Sequence, residues 1–359
     1  MKLPAPPISI ETAAAGLQQE TNAFEANLAL LTSKRMEKRY QAHVYFSTRG
    51  TRLADALAKS IANLKALDQD LVVSLLELTA ATIPLKAVDS LFTLIAHKKL
   101  TRHIRFSVYN ALAAFPGLES AAGVVQGISD PSMPVRIAAA RVLDRHCSDY
   151  IIAEIKNKIE SGTKAGETLV HTILDARALR LTEALMISDT FSYMTSNYLE
   201  RSASIPVLDS FIRILEKRNL KSTVKKYIRL RDQKAAIKRE IFFIINSFQP
   251  YLDVYTKLID TCGYASRSFT STQEAFEAIV FEKPVAIVCD LFFKDMTSLE
   301  FAREVREMYT LQEVPIIISS LQQGLFKPEL DRELKKAKVN VFCNFPATPD
   351  QIKSWIGSA

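Results

Sequence analysis

The stretch "PVAIVCDLFFKDMTSLEF", residues 284–301, decides how the last third of this chain folds. Val285 to Cys289 is an unbroken apolar run that stops at one carboxylate, Asp290. A loop follows, and "SLEFAREVREMY" (298–309) then repeats its apolar residues at helical spacing. A short apolar run bounded by a loop and followed by a helix reads as a buried strand. The same alternation extends outward. Upstream lie the run "EIFFIINS" (240–247), a helix over 251–264 closed by Gly263, a strand over 265–269 and a helix opened by a Ser/Thr-x-x-Glu cap at 271. Downstream lie a strand over 314–320, a helix over 327–338, a strand over 339–344 and a helix over 348–357. These β-α units predict a five-stranded parallel sheet covered by helices on both faces, spanning 240–359. Ligands of such sheets meet the carboxyl ends of the strands, which is where Asp290 falls.

This stretch resembles the receiver domain of two-component response regulators, a flavodoxin-like fold. The order of elements matches, as do Gly263-Tyr264, Glu274-Ala275, Asp290, Met296, Leu299-Glu300-Phe301, Val314-Pro315-Ile316-Ile317 and Pro346. The resemblance implies that Asp290 holds the phosphoacceptor position, working with Mg²⁺. A carboxylate attacking phosphorus needs that cation to neutralise developing charge, and Mg²⁺ favours a site with more than one carboxylate. Here the positions of the family's second acidic cluster are Asn246 and Ser247, which carry no charge. Asp253 lies in the following helix, at the wrong distance to replace them. Phe345 stands where the family has a lysine, Lys294 replaces a proline, and Thr297-Ser298 replaces Asp-Gly. Lys294 pointing to water is the plain reading; an ion pair with Asp290 is the alternative. Ser320 (or Ser319) keeps the family's hydroxyl, and Phe342 occupies its switch aromatic. The expectation is a degenerate receiver with poor Mg²⁺ affinity and no cofactor.

The preceding two thirds read as an all-helical domain over 10–210, after a proline-rich arm at 1–9. "RFSVYNAL" (105–112) and "RIAAARVL" (136–143) are 31 residues apart; "VVSLLELT" (72–79) and "ETLVHTIL" (167–174) continue the series. A period of this length predicts stacked helices forming a solenoid. In "SDPSMPVRIAAARVLDRH", Asp130 suits a helix cap with Pro131 in the first turn. Asp130, Pro131, Val135, Arg136, Ala138, Ala139 and Leu143 resemble a HEAT repeat, with repeats over about 68–187; an irregular helical bundle is the alternative. The basic, aromatic stretch 32–52 reads as an amphipathic helix and a turn at Gly50, with a contact patch as the alternative.

The net charge of +7 is uneven. Residues 211–239 hold 11 Lys/Arg and 2 Asp/Glu, whereas 240–359 hold 12 and 16. Residues 211–239 read as a basic connecting helix, whose Lys217, Arg218, Lys221, Lys225, Lys226, Arg229 and Arg231 form a possible contact patch for nucleic acid or anionic lipid. No run of about 18 apolar residues is present, so no membrane span is expected. Four scattered cysteines and five histidines without metal-ligand spacing predict reduced thiols, a cytoplasmic protein and no metal site. No catalytic constellation stands out, so an enzyme is not expected. The leading expectation is a signalling adaptor that binds a partner protein through its helical surface and its atypical receiver domain. A response regulator controlled through Asp290, or a nucleic-acid-binding protein using 211–239, are the alternatives. The oligomeric state is left open.

Overall fold

The computed structural model describes residues 10–33, 35–62, 68–97, 99–116, 121–161, 163–237, 239–293, 296–322 and 328–356. The chain first runs through helices α1 (Ile10–Leu30), α2 (Met36–Phe46), α3 (Gly50–Ile61), α4 (Gln69–Thr82), α5 (Val88–Ala96) and α6 (Arg102–Ala114). It continues through α7 (Met133–Arg145), α8 (Asp149–Glu160), α9 (Lys164–Asp175), α10 (Leu179–Leu185), α11 (Asp189–Arg201), α12 (Ile205–Lys217) and α13 (Lys221–Ala236). Strands and helices then alternate: β1 (Ile241–Ile245), α14 (Gln249–Thr261), β2 (Ala265–Phe269), α15 (Thr272–Phe281), β3 (Ala286–Cys289), α16 (Ser298–Met308), β4 (Ile316–Ser320), α17 (Pro328–Lys336), β5 (Val341–Asn344) and α18 (Pro349–Ser354). The fold class is therefore a helical part followed by an α/β part.

The strands form one parallel sheet in the order β2-β1-β3-β4-β5. This is the flavodoxin-like order, whose switch point lies between β1 and β3. Side chains alternate across the sheet, and both faces are apolar because both are covered. Phe242, Ile244, Val288 and Ile317 face α14 and α18, in a core continuous with that of the helical part. Phe243, Ile245, Ile287 and Ile318 face the other way, with Ile279, Leu299, Val305 and Leu334 of α15, α16 and α17. Gly263 ends α14 at φ 92°, a conformation that needs no Cβ.

In the helical part, the four similar segments fall on α4, α6, α7 and α9. These pack in that order, α4 on α6, α6 on α7 and α7 on α9. Ala138, Ala139 and Ala140 of α7 are fully buried, and their small side chains permit this close approach. The start of α7 differs from expectation. Ser132 is its N-cap residue and Pro134 lies in the first turn, so the helix starts later than Asp130 and Pro131 would place it. Asp130 pairs with Arg105, through Nε at 2.8 Å and a second N–H at 3.0 Å, and so ties α6 to the loop before α7. Its Oδ1 also accepts from the Ser132 backbone N–H at 2.8 Å, so the carboxylate serves the local turn and the ion pair together.

The 211–239 segment is not one connecting helix. Asn219, at φ 57°, breaks it between α12 and α13. Phe211, Ile212, Ile214 and Leu215 of α12 are buried in the helical part. Among the described residues, no helix is long and apolar enough to cross a membrane.

Candidate functional site

Three chain ends of the sheet converge on Asp290. Asn246 follows β1, Asp290 follows β3, and Ser320 ends β4. The Asn246 side chain donates to Asp290 Oδ2 at 2.8 Å, and the Leu291 backbone N–H donates to Oδ1 at 2.7 Å. The Asn246 side-chain oxygen accepts from Phe248 N at 2.7 Å, which fixes the direction of its amide toward Asp290. A donor thus stands where a second carboxylate would be needed to hold a cation. Ser247, also in the β1–α14 turn, lines the same cleft. The Ser320 hydroxyl accepts from Gln322 N at 3.1 Å.

Phe345 is 1% exposed and lies in the core. Its ring stacks on Tyr251, with centroids 4.5 Å apart, and meets Phe106 of α6 at 4.8 Å. His103 Nε2 donates to the Phe345 carbonyl at 2.8 Å. The position that the family resemblance gives to a phosphate-pairing lysine is thus an apolar plug between the two parts of the chain. Phe342 is half-buried on β5, packed with the core beneath α15–α17. Thr297 caps α16 in a reciprocal capping box with Glu300, a local role that accounts for the hydroxyl there. Lys294 lies outside the described residues.

Over these sheet ends sits the helical part. A cleft of about 950 Å³ lies between the two, lined by Glu77, Asp290, Arg145, Arg180, Phe292 and Gln322, among others. Arg39, buried on α2, donates to the Ser33 carbonyl and to the Gln322 side-chain oxygen. Gln322 in turn donates to Glu77 at 3.3 Å. The His43 ring meets that of Phe292 at a tilt, with centroids 4.8 Å apart, and Tyr40 meets the same ring at 6.0 Å. The aromatic residues of 32–52 therefore make an intramolecular contact, and Gly50 opens α3.

Burial and neighbouring charge act together here. Burial pushes the Asp290 carboxyl up to about 6 against its two hydrogen bonds. Glu77 is pushed up to about 8, first by burial and next by the charge of Asp290. His43 is driven down to about 4 by burial, so its imidazole is neutral near pH 7. Both carboxyls are held protonated to higher pH folded than unfolded. Their contribution to stability is complete below about pH 4 and is lost as pH rises toward 8. We expect the unfolding free energy measured by urea titration to fall between pH 5 and 8, by at most about 1.4 kcal/mol per pH unit for each titrating proton. Glu77→Gln is expected to flatten that slope; an unchanged slope would exclude Glu77 as its source.

A second contact, built on a fully buried carboxylate, joins the two parts. The Asp253 side chain on α14 is 0% exposed and pairs with Arg141 of α7 at 2.7 Å. Arg177 Nε reaches its other oxygen at 3.0 Å, and Gln249 donates to that same oxygen at 2.9 Å. Beside it, Lys257 of α14 pairs with Asp175 at 3.3 Å and donates to the Tyr198 hydroxyl at 2.7 Å. The sequence pattern weighed Asp253 only as a phosphate-site substitute and passed over Glu77, a lone carboxylate in the apolar series "VVSLLELT". A charged residue at an otherwise buried helical position was the one signal available for either.

The basic patch is partly neutralised. Lys217 pairs with Glu183 at 2.8 Å, Lys226 with Glu200 at 2.5 Å, and Arg231 with Asp232 at 2.7 Å and Asp209 at 3.4 Å. Arg218 donates to the Glu183 carbonyl at 3.4 Å, while Lys221, Lys225 and Arg229 are exposed. These positions lie apart from the Asp290 cleft.

Comparison with solved structures finds similarity over about a third of the chain. The chemotaxis protein CheY4 of Vibrio cholerae is 16% identical over 34% of this chain and 98% of its own, with a TM-score of 0.30. A CheY-like response regulator receiver domain protein from Methanospirillum hungatei is 16% identical over 34% and 93%, with a TM-score of 0.30. A two-component response regulator from Clostridium difficile is 12% identical over 33% and 94%, again at 0.30. No family model and no curated protein matches the chain.

Proposed function

We propose that this protein is a signalling adaptor rather than an enzyme. It would bind a partner protein through a HEAT-like helical surface and a receiver-like domain that is not routinely phosphorylated. The observation that carries the reading is the treatment of Asp290. Its carboxylate takes an amide donor from Asn246, faces Glu77 of the helical part, and has the Phe345 plug in place of a lysine. Phosphoryl transfer to a carboxylate needs a cation held by neighbouring anions and a counter-charge on the phosphate oxygens. Asn246 and Phe345 supply neither. Extended stacks of helices present large surfaces suited to protein partners.

The test is incubation of the full chain with Mg²⁺ and acetyl phosphate, or with beryllofluoride, followed by intact-mass and peptide analysis. The expected result is an unmodified Asp290. Stoichiometric modification would overturn the proposal in favour of a phosphorylation-controlled response regulator. One observation favours that second reading: the Ser320 hydroxyl and Asp290 line the same open cleft.

A further inference from the structure

The charged residues lining the interdomain cleft fall into two groups. One is mostly basic, Arg145 of α7 and Arg180 of α10, both exposed, beside the single carboxyl of Asp144. Among the described residues neither makes a contact ion pair; the nearby Asp144 carboxyl is engaged by the Leu181 backbone N–H at 2.9 Å. Arg145 donates to the Ala113 carbonyl at 3.1 Å, and Arg180 donates to the Arg145 carbonyl at 3.0 Å. The other is acidic, Glu77 and Asp290, whose hydrogen bonds come from the amides of Gln322, Asn246 and the Leu291 backbone. The rings of Tyr40, His43 and Phe292 flank that group, and His43 Nε2 is buried there without a hydrogen-bond partner.

We propose that this cleft binds a small organic molecule with a cationic nitrogen beside Glu77 and Asp290 and an anionic oxygen group beside Arg145 and Arg180. Two carboxylates beside aromatic faces are the surroundings that an ammonium or guanidinium group selects. Arginine forks match carboxylate and phosphate oxygens. The volume, about 950 Å³, lies within the range of small-molecule sites, which favour domain boundaries. A bare metal ion suits the cleft less well, because both carboxylates already accept from amide N–H groups, which do not ligate metals. A bound cation offsets both the burial and the charge of Asp290 that hold Glu77 protonated, so Glu77 gives up its proton on binding near pH 7. The inference rests on Asp290 being an unmodified carboxylate, as proposed above. The two fail separately, since acetyl phosphate tests Asp290 alone and the titration below uses protein never exposed to a phosphodonor.

The experiment is calorimetric titration of the full chain with two bipolar probes of different length, L-arginine and the dipeptide lysyl-glutamate. Agmatine and glutarate serve as cation-only and anion-only controls. Saturable binding of at least one bipolar probe is expected, with a heat that varies with the buffer's ionisation enthalpy because a proton is released. Glu77→Gln is expected to weaken that probe about tenfold, as is the pair Arg145→Ala and Arg180→Ala, each from the loss of charge-assisted contacts. Agmatine should respond to the first variant alone and glutarate to the second alone. Near-UV circular dichroism verifies that each variant is folded. The proposal is overturned if neither bipolar probe binds the unaltered protein, or if binding ignores both variants.

Discussion

Asp253→Ala is expected to destabilise the protein by about 3 kcal/mol, the lower end of the range for removing one partner of a buried ion pair. Its carboxylate is fully buried, whereas Arg141 and Arg177 keep 21% and 23% of their side-chain surface. The two cations can therefore recover some hydration once the anion is gone, and the penalty stays below that of a sealed pair. The loss should concentrate at the junction. Hydrogen exchange is expected to accelerate in α7 and α14 ahead of the sheet, since these helices pack together around Asp253. Replacing the whole triad, with Asp253→Leu, Arg141→Met and Arg177→Met, separates loss of an interaction from abandonment of a charge. This triple variant should recover most of the stability, because a well-packed apolar group costs less than an orphaned ion. If Asp253→Ala unfolds at the same urea concentration as the unaltered protein, the triad is not what joins the two parts.

Phe345→Ala is expected to cost about 3–5 kcal/mol, the range for truncating a buried aromatic residue. The ring is enclosed by Phe106, Tyr251 and Tyr255, so both sides of the junction lose contacts together. Phe345→Lys gives the position the residue that the family resemblance places there. It is expected to be at least as destabilising, because an ammonium group would enter an aromatic enclosure without a counter-ion. Equilibrium urea unfolding of both variants provides the measurement. A Phe345→Lys protein as stable as the unaltered one would show that a cation can reach solvent or Asp290 from this position. That outcome would also count against the proposed unphosphorylated state of Asp290.

Much of the α/β fold was legible in the chain because its signals are local. Continuous apolar strands announce a sheet covered on both faces, and the run ending at Asp290 places that carboxylate at a strand end. Gly263 and the cap at Ser271 mark helix boundaries through bonds made within a few residues. The recurring segments on α4, α6, α7 and α9 were visible for the same reason, since each helix carries its own packing face. Asp130 does bind a local backbone N–H, that of Ser132, but it does so in the turn before the helix, whose N-cap residue is Ser132. The break at Asn219 was hidden in a run of basic residues whose spacing suits one helix or two.

The chain by itself determined which residues stand at or just beyond the strand ends: Asn246, Asp290, Ser320 and Phe345 lie where apolar runs stop. Only the tertiary structure decided what faces them. Glu77 meets Gln322 across 245 residues, and Arg39 meets the same side chain across 283. Asp253 finds Arg141 across 112 residues. No spacing rule reaches that far, because periodicity records which side of an element is buried and not which element buries it. A lone charge in an apolar helix is legible as an anomaly, and its partner exists only once the two parts of the chain have docked.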